Sequence, residues 1–237
     1  MDIEKKVQDL TNLLEITKAL TAEKDLDSLL TLIIDKTTAV MNAERSSLFL
    51  VDYKTNELWS KIAQQETKEI RVPMGVGIVG FVANTKEIVN IEDAYKDPRF
   101  NKEIDKITGY HTKTILCVPL LTHEGKVVGV LQVINKKDGV FSPYDESLLM
   151  AFANHAAISI DNAQLIEHYL EKEKMKQCLK IAKDIQEGFL PKEVPQIPGL
   201  DIHGWGLSCE ETGGDYYDFI PFPDGKLGLV IGDVAGH

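Results

Sequence analysis

Residues 143–190, PYDESLLMAFANHAAISIDNAQLIEHYLEKEKMKQCLKIAKDIQEGFL, constrain the fold more than any other stretch. There is no proline after Pro143 and no glycine before Gly188, so the segment reads as one long helix. Pro143 suits a first helical turn, and Asp145 and Glu146 complement the positive end of the helix dipole. Leu148, Leu149, Ala151, Phe152, Ala156, Ile158 and Ile160 crowd the first half, as on a helix packed against a domain. From Leu170 the run EKEKMKQ is too polar for a core. Met175, Cys178, Ala182, Ile185 and Phe189 then follow at spacings of 3, 4, 3 and 4, a narrow coiled-coil-like seam, and Pro191 stops the helix. The expectation is a helix that leaves a packed domain and delivers the chain to something new. The alternative is an amphipathic helix folded back on its own domain.

The rest of the chain is ordinary globular sequence with a net charge of −11, which argues against a general binder of nucleic acid or anionic membrane. Cys117, Cys178 and Cys209 are distant and odd in number, which fits a reducing cytoplasm and neither a disulfide scaffold nor a zinc site. No apolar run approaches the ~20 residues of a membrane span, and MDIEKKVQDL lacks a signal-peptide core. A cytoplasmic protein is expected. The chain stops at Gly-Asp-Val-Ala-Gly-His in what reads as mid-domain, so a fragment is expected too.

Residues 2–22 read as a helix with a thin stripe of Ile3, Val7, Leu10 and Leu14. A second helix at 25–42 has Asp25 as cap and a broad core face of Leu29, Leu30, Ile33, Ile34 and Val40. The thin stripe and the 175–189 seam together point to a homodimer through terminal helices, the alternative being that the two pair within one chain. Strands are expected at Ser47–Asp52, Glu57–Ala63, Ile70–Val72, Ile88–Ile91, Ile115–Leu121 and Val127–Asn135. A short helix follows the turn at 73–77, and a polar lid spans 92–112, a length that in compact domains is usually functional. The pattern predicts an α+β domain with an antiparallel sheet, helices on one face and a lid on the other.

Asn135-Lys136, Phe141 and Asp145-Glu146, set among AERSSLFLVD, GIVGFVANTKEIVNIEDAYKDPRFN and GYHTKTILCVPL, resemble the signature and flanks of GAF domains of the cyclic-nucleotide phosphodiesterase and cyanobacterial adenylyl cyclase type. In structural terms Lys136 and Asp145 can pair across the turn before the long helix, with Phe141 beneath it. The resemblance places this motif beside the pocket. It implies that Ser47 and Gln132 face a purine base from the sheet, that Ile78 and Val79 offer N–H groups to a phosphate, and that Asp105, Thr108 and Thr112 close from the lid. Asn101 and Gln64 depart from the family, which more often has an aromatic and an acidic residue there. The implied ligand is cAMP or cGMP; another small molecule, or a structural module with none, is the alternative. Haem or tetrapyrrole is disfavoured, because Cys117 lies in a core-facing strand and His111 and His155 are isolated.

Residues 191–237 read as a new domain. The linker LPKEVPQIPGL precedes expected strands at Leu200–Leu207, Tyr216–Pro221 and Lys226–Ile231. IQEGFLP, GGDYYDF and GDVAGH resemble the start of PPM-type serine/threonine phosphatases of the sporulation and stress-regulator kind. The resemblance implies an incomplete β-sandwich segment and a two-metal Mn or Mg centre with Asp215, Asp233 and the carbonyl of Val234 as ligands, acting on phosphoserine or phosphothreonine proteins. With later ligands beyond His237, this chain is expected to be inactive. The expected organisation is a dimerisation helix at 1–24, a GAF sensor at 25–165, a connector helix at 166–190 and the start of a phosphatase at 191–237.

Overall fold

The computed structural model describes residues 3–61, 69–207 and 213–233. The chain divides into two compact units, Met1–Ile166 and Glu167–His237.

The first unit is built on a six-stranded antiparallel sheet. Its elements run α1 (Ile3–Ala22), α2 (Leu26–Val40), β1 (Ala43–Asp52), β2 (Glu57–Lys61), β3 (Glu69–Pro73), α3 (Gly77–Thr85), β4 (Val89–Ile91), a 3-10 turn (Ala94–Lys96), α4 (Lys102–Thr108), β5 (Ile115–Leu121), β6 (Val127–Lys136) and α5 (Pro143–Phe189). The sheet order is β3-β2-β1-β6-β5-β4. Strands β1, β5 and β6 hold its centre, and side chains alternate between its faces. Leu48 and Leu50 of β1, Leu116 and Val118 of β5 and Leu131 and Val133 of β6 pack under α1, α2 and α5. Phe49, Cys117 and Val130 point the other way, toward α3 and the lid.

The helix layer follows from local sequence. Asp25 caps α2 by accepting from Ser28 N at 2.9 Å, and Leu29, Leu30, Ile33 and Ile34 are buried along one side. In α5 the residues Leu149, Phe152, Ala153, Ala156 and Ile160 are fully inside. The alanines let the helix lie close to the sheet, and each fully buried large side chain contributes about 1.5–3 kcal/mol. Helix α1 also joins this core. Its stripe of Val7, Leu10 and Leu14 is exposed, but Ile16 and Leu20 are buried against α2 and α5. Gly129 sets the spacing of the central pair: a Cβ there would collide with the Phe49 carbonyl oxygen.

Where the residues are described, the sequence-based element positions hold with two differences; the end of the strand expected at Glu57–Ala63, residues 62 and 63, lies outside the described residues. Strand β1 begins at Ala43 rather than Ser47, because Ala43 and Arg45 through Leu50 pair with β6. The strand expected at Leu200–Leu207 is absent: Ile197 and Leu200 form only an isolated bridge, and residues 201–207 belong to no ladder. Gly204 and Gly206 lower strand propensity there, and among the described residues no neighbouring strand supplies a ladder. The described part of the second unit holds one hairpin, β7 (Asp215–Pro221) with β8 (Leu227–Asp233), not the two facing sheets of a sandwich. Its apolar residues Leu229 and Ile231 are exposed. Among the described residues no helix is long and apolar enough to cross a membrane.

Candidate functional site

The lid-side face of the sheet carries a row of directly opposed residues across four strands. Ser47 of β1 pairs with Gln132 of β6, Gln132 with Cys117 of β5, and Cys117 with Val89 of β4. The next residues on this face, Phe49, Val130 and Ile134, are apolar. Ser47 and Gln132 are half-buried, and neither side chain has a hydrogen-bond partner among the described residues. A hydroxyl and a primary amide therefore sit side by side on an apolar floor with their polar capacity unspent. That arrangement suits a flat ligand with a polar edge.

Helix α3 lies beside this floor. Ile78 and Val79 stand in its first turn with both side chains buried, and the N-cap Val76 makes no side-chain cap bond. The first N–H groups of the helix thus lack intrahelical acceptors and form the positive end of its dipole. The turn before it is tight. Gly75 N donates to Gly80 O at 3.1 Å, and a Cβ on Gly80 would come within 2.9 Å of Pro73 O and Gly75 N. Gly80 therefore fixes where these amides stand.

The lid is tied to itself and to the sheet. Asp105 is buried; its carboxylate accepts from Thr112 N at 2.7 Å, Thr112 Oγ1 at 2.8 Å and Tyr95 Oη at 3.1 Å. Asp105 and Thr112 are thus brought together, and Asp105 is not a solvated charge. Thr108 closes α4, and its side chain lies outside the described residues. Asn101 caps α4 by accepting from Glu103 N at 3.1 Å, which gives this non-aromatic position a local role. Gln64 lies outside the described residues. Arg99 grips Asp97 through Nε at 2.9 Å and Nη2 at 2.7 Å, and lies over the Phe81 ring of α3 at 4.6 Å.

The signature residues form the wiring around the floor. Asn135 sits at φ +57. Its Oδ1 accepts from Lys113 N at 2.7 Å, while Nδ2 donates to Glu44, to Tyr110 Oη and to His111 O at 2.9–3.0 Å. Lys136 Nζ meets Asp145 at 2.6 Å and Met41 O at 3.2 Å, and Phe141 is buried beside them. Burial raises the Asp145 carboxyl, but Lys136 and the N–H and hydroxyl of Ser142 more than offset this and hold it below the usual carboxylate range. Glu146 accepts from Asn90 of β4 at 2.8 Å.

Glu44, Arg45 and Tyr110 have no signal in the sequence pattern. Tyr110 donates to Glu44 at 2.6 Å and lies under the Arg45 guanidinium at 4.0 Å. Burial first, and the Glu44 carboxylate second, push the Tyr110 hydroxyl well above its ordinary range. Only the GYHT motif beside the lid hinted at this corner. His111 packs against Tyr95 at 5.0 Å, whereas His155 is exposed on α5, so the two histidines are not brought together. Cys117 is fully buried, and burial raises its thiol.

In the second unit Asp215 and Asp233 are direct partners at the open end of the hairpin. Val234 lies outside the described residues. Among the described residues no group of three or more His, Cys, Asp or Glu side chains is placed to hold a metal ion. Two carboxylates fall short of the six oxygens each Mg or Mn ion requires, so Asp215 and Asp233 do not by themselves make the expected two-metal centre.

Comparison with known proteins bears on both the family and the fold. The GAF domain family model matches residues 25–160. A cGMP-specific 3',5'-cyclic phosphodiesterase of Drosophila ananassae is 36% identical over 192 residues, covering 73% of this chain and 17% of the relative. A probable 3',5'-cyclic phosphodiesterase of Caenorhabditis elegans is 40% identical over 155 residues, covering 60% of this chain and 21% of the relative. The chain thus spans roughly a fifth or less of the length of these curated relatives. Among solved structures, the GAF domain of an Acinetobacter phosphoenolpyruvate-protein phosphotransferase superposes with a TM-score of 0.58 at 25% identity, covering 68% of this chain and 98% of that one. The free methionine-R-sulfoxide reductase of Neisseria meningitidis shares the fold, with a TM-score of 0.57 at 19% identity over 70% of this chain and 96% of that one.

Proposed function

The chain belongs to the GAF domain family, and from that premise we propose that its first unit is a regulatory sensor that binds a cyclic nucleotide. The observation that carries the reading is the Ser47–Gln132 couple, without hydrogen-bond partners among the described residues, on the apolar floor beside the start of α3. A purine would lie on the floor with its polar edge on the hydroxyl and amide. The anionic cyclic phosphate would meet the amides of Ile78 and Val79, where the helix dipole favours negative charge. Asp105, Thr108 and Thr112 would close over it from the lid. The printed names of the relatives, cGMP-specific and 3',5'-cyclic phosphodiesterases, add support for a cyclic nucleotide as the ligand class.

Coupling would run through the signature. Asn135 ties the lid exit to the sheet, and Lys136 ties the next residue to the first turn of α5. A ligand that prefers one lid arrangement would bias the start of α5 by its difference in affinity for the two arrangements. We read the working form as a homodimer through terminal helices, on the strength of the exposed stripe of α1 and the exposed Met175, Ile185 and Phe189 of α5. The domain boundaries 1–24, 25–165, 166–190 and 191–237 express this division of labour.

For the second unit, phosphoprotein phosphatase output is a separate proposal supported by the GGDYYDF and GDVAGH motifs alone. The two opposed aspartates do not make a metal centre, and no hydrolytic step follows from them. Phosphate release from a phosphoserine peptide with Mn is expected to be absent for this chain, and release would overturn that expectation.

The test of the sensor reading is calorimetric titration of the chain with cAMP and with cGMP. Saturable binding of one of them, lost in Asp105→Ala and Thr112→Ala, is the expected result. No heat with either, in a protein that remains folded, overturns it.

A further inference from the structure

Two side-chain polar atoms among the described residues are buried without a hydrogen-bond partner, Oγ of Ser60 and Oδ1 of Asn90. Asn90 is engaged through its other end, since Nδ2 donates to Phe141 O at 2.9 Å and to Glu146 at 2.8 Å. Ser60 is 1% exposed, and its hydroxyl meets neither a protein partner nor solvent. The buried hydroxyls of Thr37, Ser46, Thr112 and Thr114 all have partners. A buried hydroxyl left idle costs the free fold stability that an alanine would not cost, so Ser60 is unaccounted for by packing alone.

The strand register places Ser60 on the lid face. Leu50 of β1 opposes Trp59 of β2, and both belong to the helix-side core. Side chains alternate along a strand, so Ser60 turns the other way. It shares that face with Leu58, which packs with Phe49, Ile78 and Val79. Its direct partner on β3, Ile70, joins the same cluster. One step back from the Leu50–Trp59 pair brings Phe49 opposite Ser60, and Ser47 follows on the same face of β1. In the other direction β2 and β3 run to the Glu57–Pro73 pair, from which the 73–77 turn enters α3. The hydroxyl therefore stands between the Ser47–Gln132 couple and the start of α3.

We propose that Ser60 is a further specificity-determining residue of the sensor site, whose hydroxyl pairs with the ribose 2′-hydroxyl of a bound cyclic nucleotide. The proposal rests on the sensor reading, which puts the base on the Ser47–Gln132 couple and the cyclic phosphate on the first amides of α3. The ribose then lies between them. In a 3′,5′-cyclic nucleotide its one free hydroxyl is the group that a serine can serve as donor or acceptor. At 1% exposure the contact requires the cover over Ser60 to draw aside on binding, so the hydrogen bond belongs to the bound arrangement alone. A group idle in one arrangement and paired in the other widens the difference in ligand affinity between them, which is the quantity a switch needs.

The test combines Ser60→Ala with 2′-deoxy ligands in calorimetric titration of the full chain, beside thermal unfolding of the ligand-free protein. Wild type is expected to bind the preferred one of cAMP and cGMP about tenfold more tightly than its 2′-deoxy analogue, a difference of 1.4 kcal/mol. Ser60→Ala is expected to lose about tenfold in affinity for the ribonucleotide and to discriminate less than about threefold between the two analogues. Its Tm without ligand is expected to equal or exceed that of wild type, because no hydrogen bond of the free protein is removed. A Ser60→Ala protein that keeps the full discrimination, or a wild type that binds both analogues alike, overturns the inference and leaves the sensor reading standing. A lowered Tm for ligand-free Ser60→Ala shows the hydroxyl already paired in the free protein and overturns it as well. No heat with cAMP or cGMP in folded wild type overturns the sensor reading and this inference together.

Discussion

The two faces of the six-stranded sheet are closed by different physics. The helix face is sealed by area: Leu116, Leu131, Phe152, Ala156 and their neighbours are buried among apolar partners, and that closure is nearly indifferent to direction. The lid face has a smaller apolar patch around Phe49, Cys117 and Val130, and its periphery is held by oriented polar ties at Asn135, at Asp105 and at the Asp97–Arg99 pair. Burial falls off gradually under small shifts, whereas hydrogen bonds weaken steeply with angle. The first face can therefore serve as an anvil while the second changes state.

The largest effect that would sharpen this contrast is Phe152→Ala. Removing a fully buried ring from the helix face is expected to cost about 3–5 kcal/mol in urea unfolding, while ligand affinity of the folded protein stays within twofold. A large affinity change would erase the distinction between the faces. Next is Asp145→Ala, which strands the Lys136 ammonium in a setting where its side chain is only 15% exposed and should cost about 3 kcal/mol. The pH profile follows from the lowered carboxyl. The stabilisation is complete above the unfolded carboxyl's value of about 3.9 and is lost as pH falls from there through the lower folded value, because the unfolded chain takes up the proton first. Asp145→Asn should flatten that acid limb, which thermal melts from pH 2 to 6 would show.

On the lid face, Asp105→Ala leaves the N–H and hydroxyl of Thr112 buried without an acceptor and is expected to cost about 1–3 kcal/mol. Unlike Phe152→Ala, it should also remove ligand binding in calorimetry. The smallest effect is at the floor. Gln132→Glu puts a carboxylate at a half-buried position and should cost about 1 kcal/mol. It should also raise the affinity for cGMP relative to cAMP about tenfold, or 1.4 kcal/mol, since a carboxylate accepts from guanine N1–H and N2–H and repels the adenine N1 lone pair. A ratio unchanged in competition titrations would remove Gln132 from the reading edge.

How much of this was legible in the chain depended on the distance over which each feature is determined. Helix α5 was plain because a long stretch without proline or glycine, entered at Pro143, has few other conformations open to it. The central strands were plain because Ile115–Leu121 and Val127–Asn135 carry continuous strand-forming sequence. Local chemistry was readable as well: Asp25 caps α2, and Lys136 can reach Asp145 only nine positions on. What did not show was set by distant partners. The first four residues of β1, AERS, look too polar for a strand until β6 pairs with them. Glu44 and Tyr110 have no meaning until Asn135, held at a left-handed φ, joins them. At Leu200–Leu207 the error ran the other way, since strand-like composition was read where no neighbour supplies a ladder.

The pairing of β1 with β6 also has a consequence in time. Glu44 and Asn135 are bonded across 91 positions of sequence, and the two strands lie side by side at the centre of the sheet. During synthesis β1 has only β2 beside it until β6 emerges, and its inner edge stays open through the making of β3, α3, the lid and β5. Closure of so large a loop is slow, and an open strand edge recruits strangers. The protein is therefore most exposed to aggregation in the interval before residue 136 leaves the ribosome. A pause in translation just upstream of β6 should cost more soluble protein than the same pause placed after it.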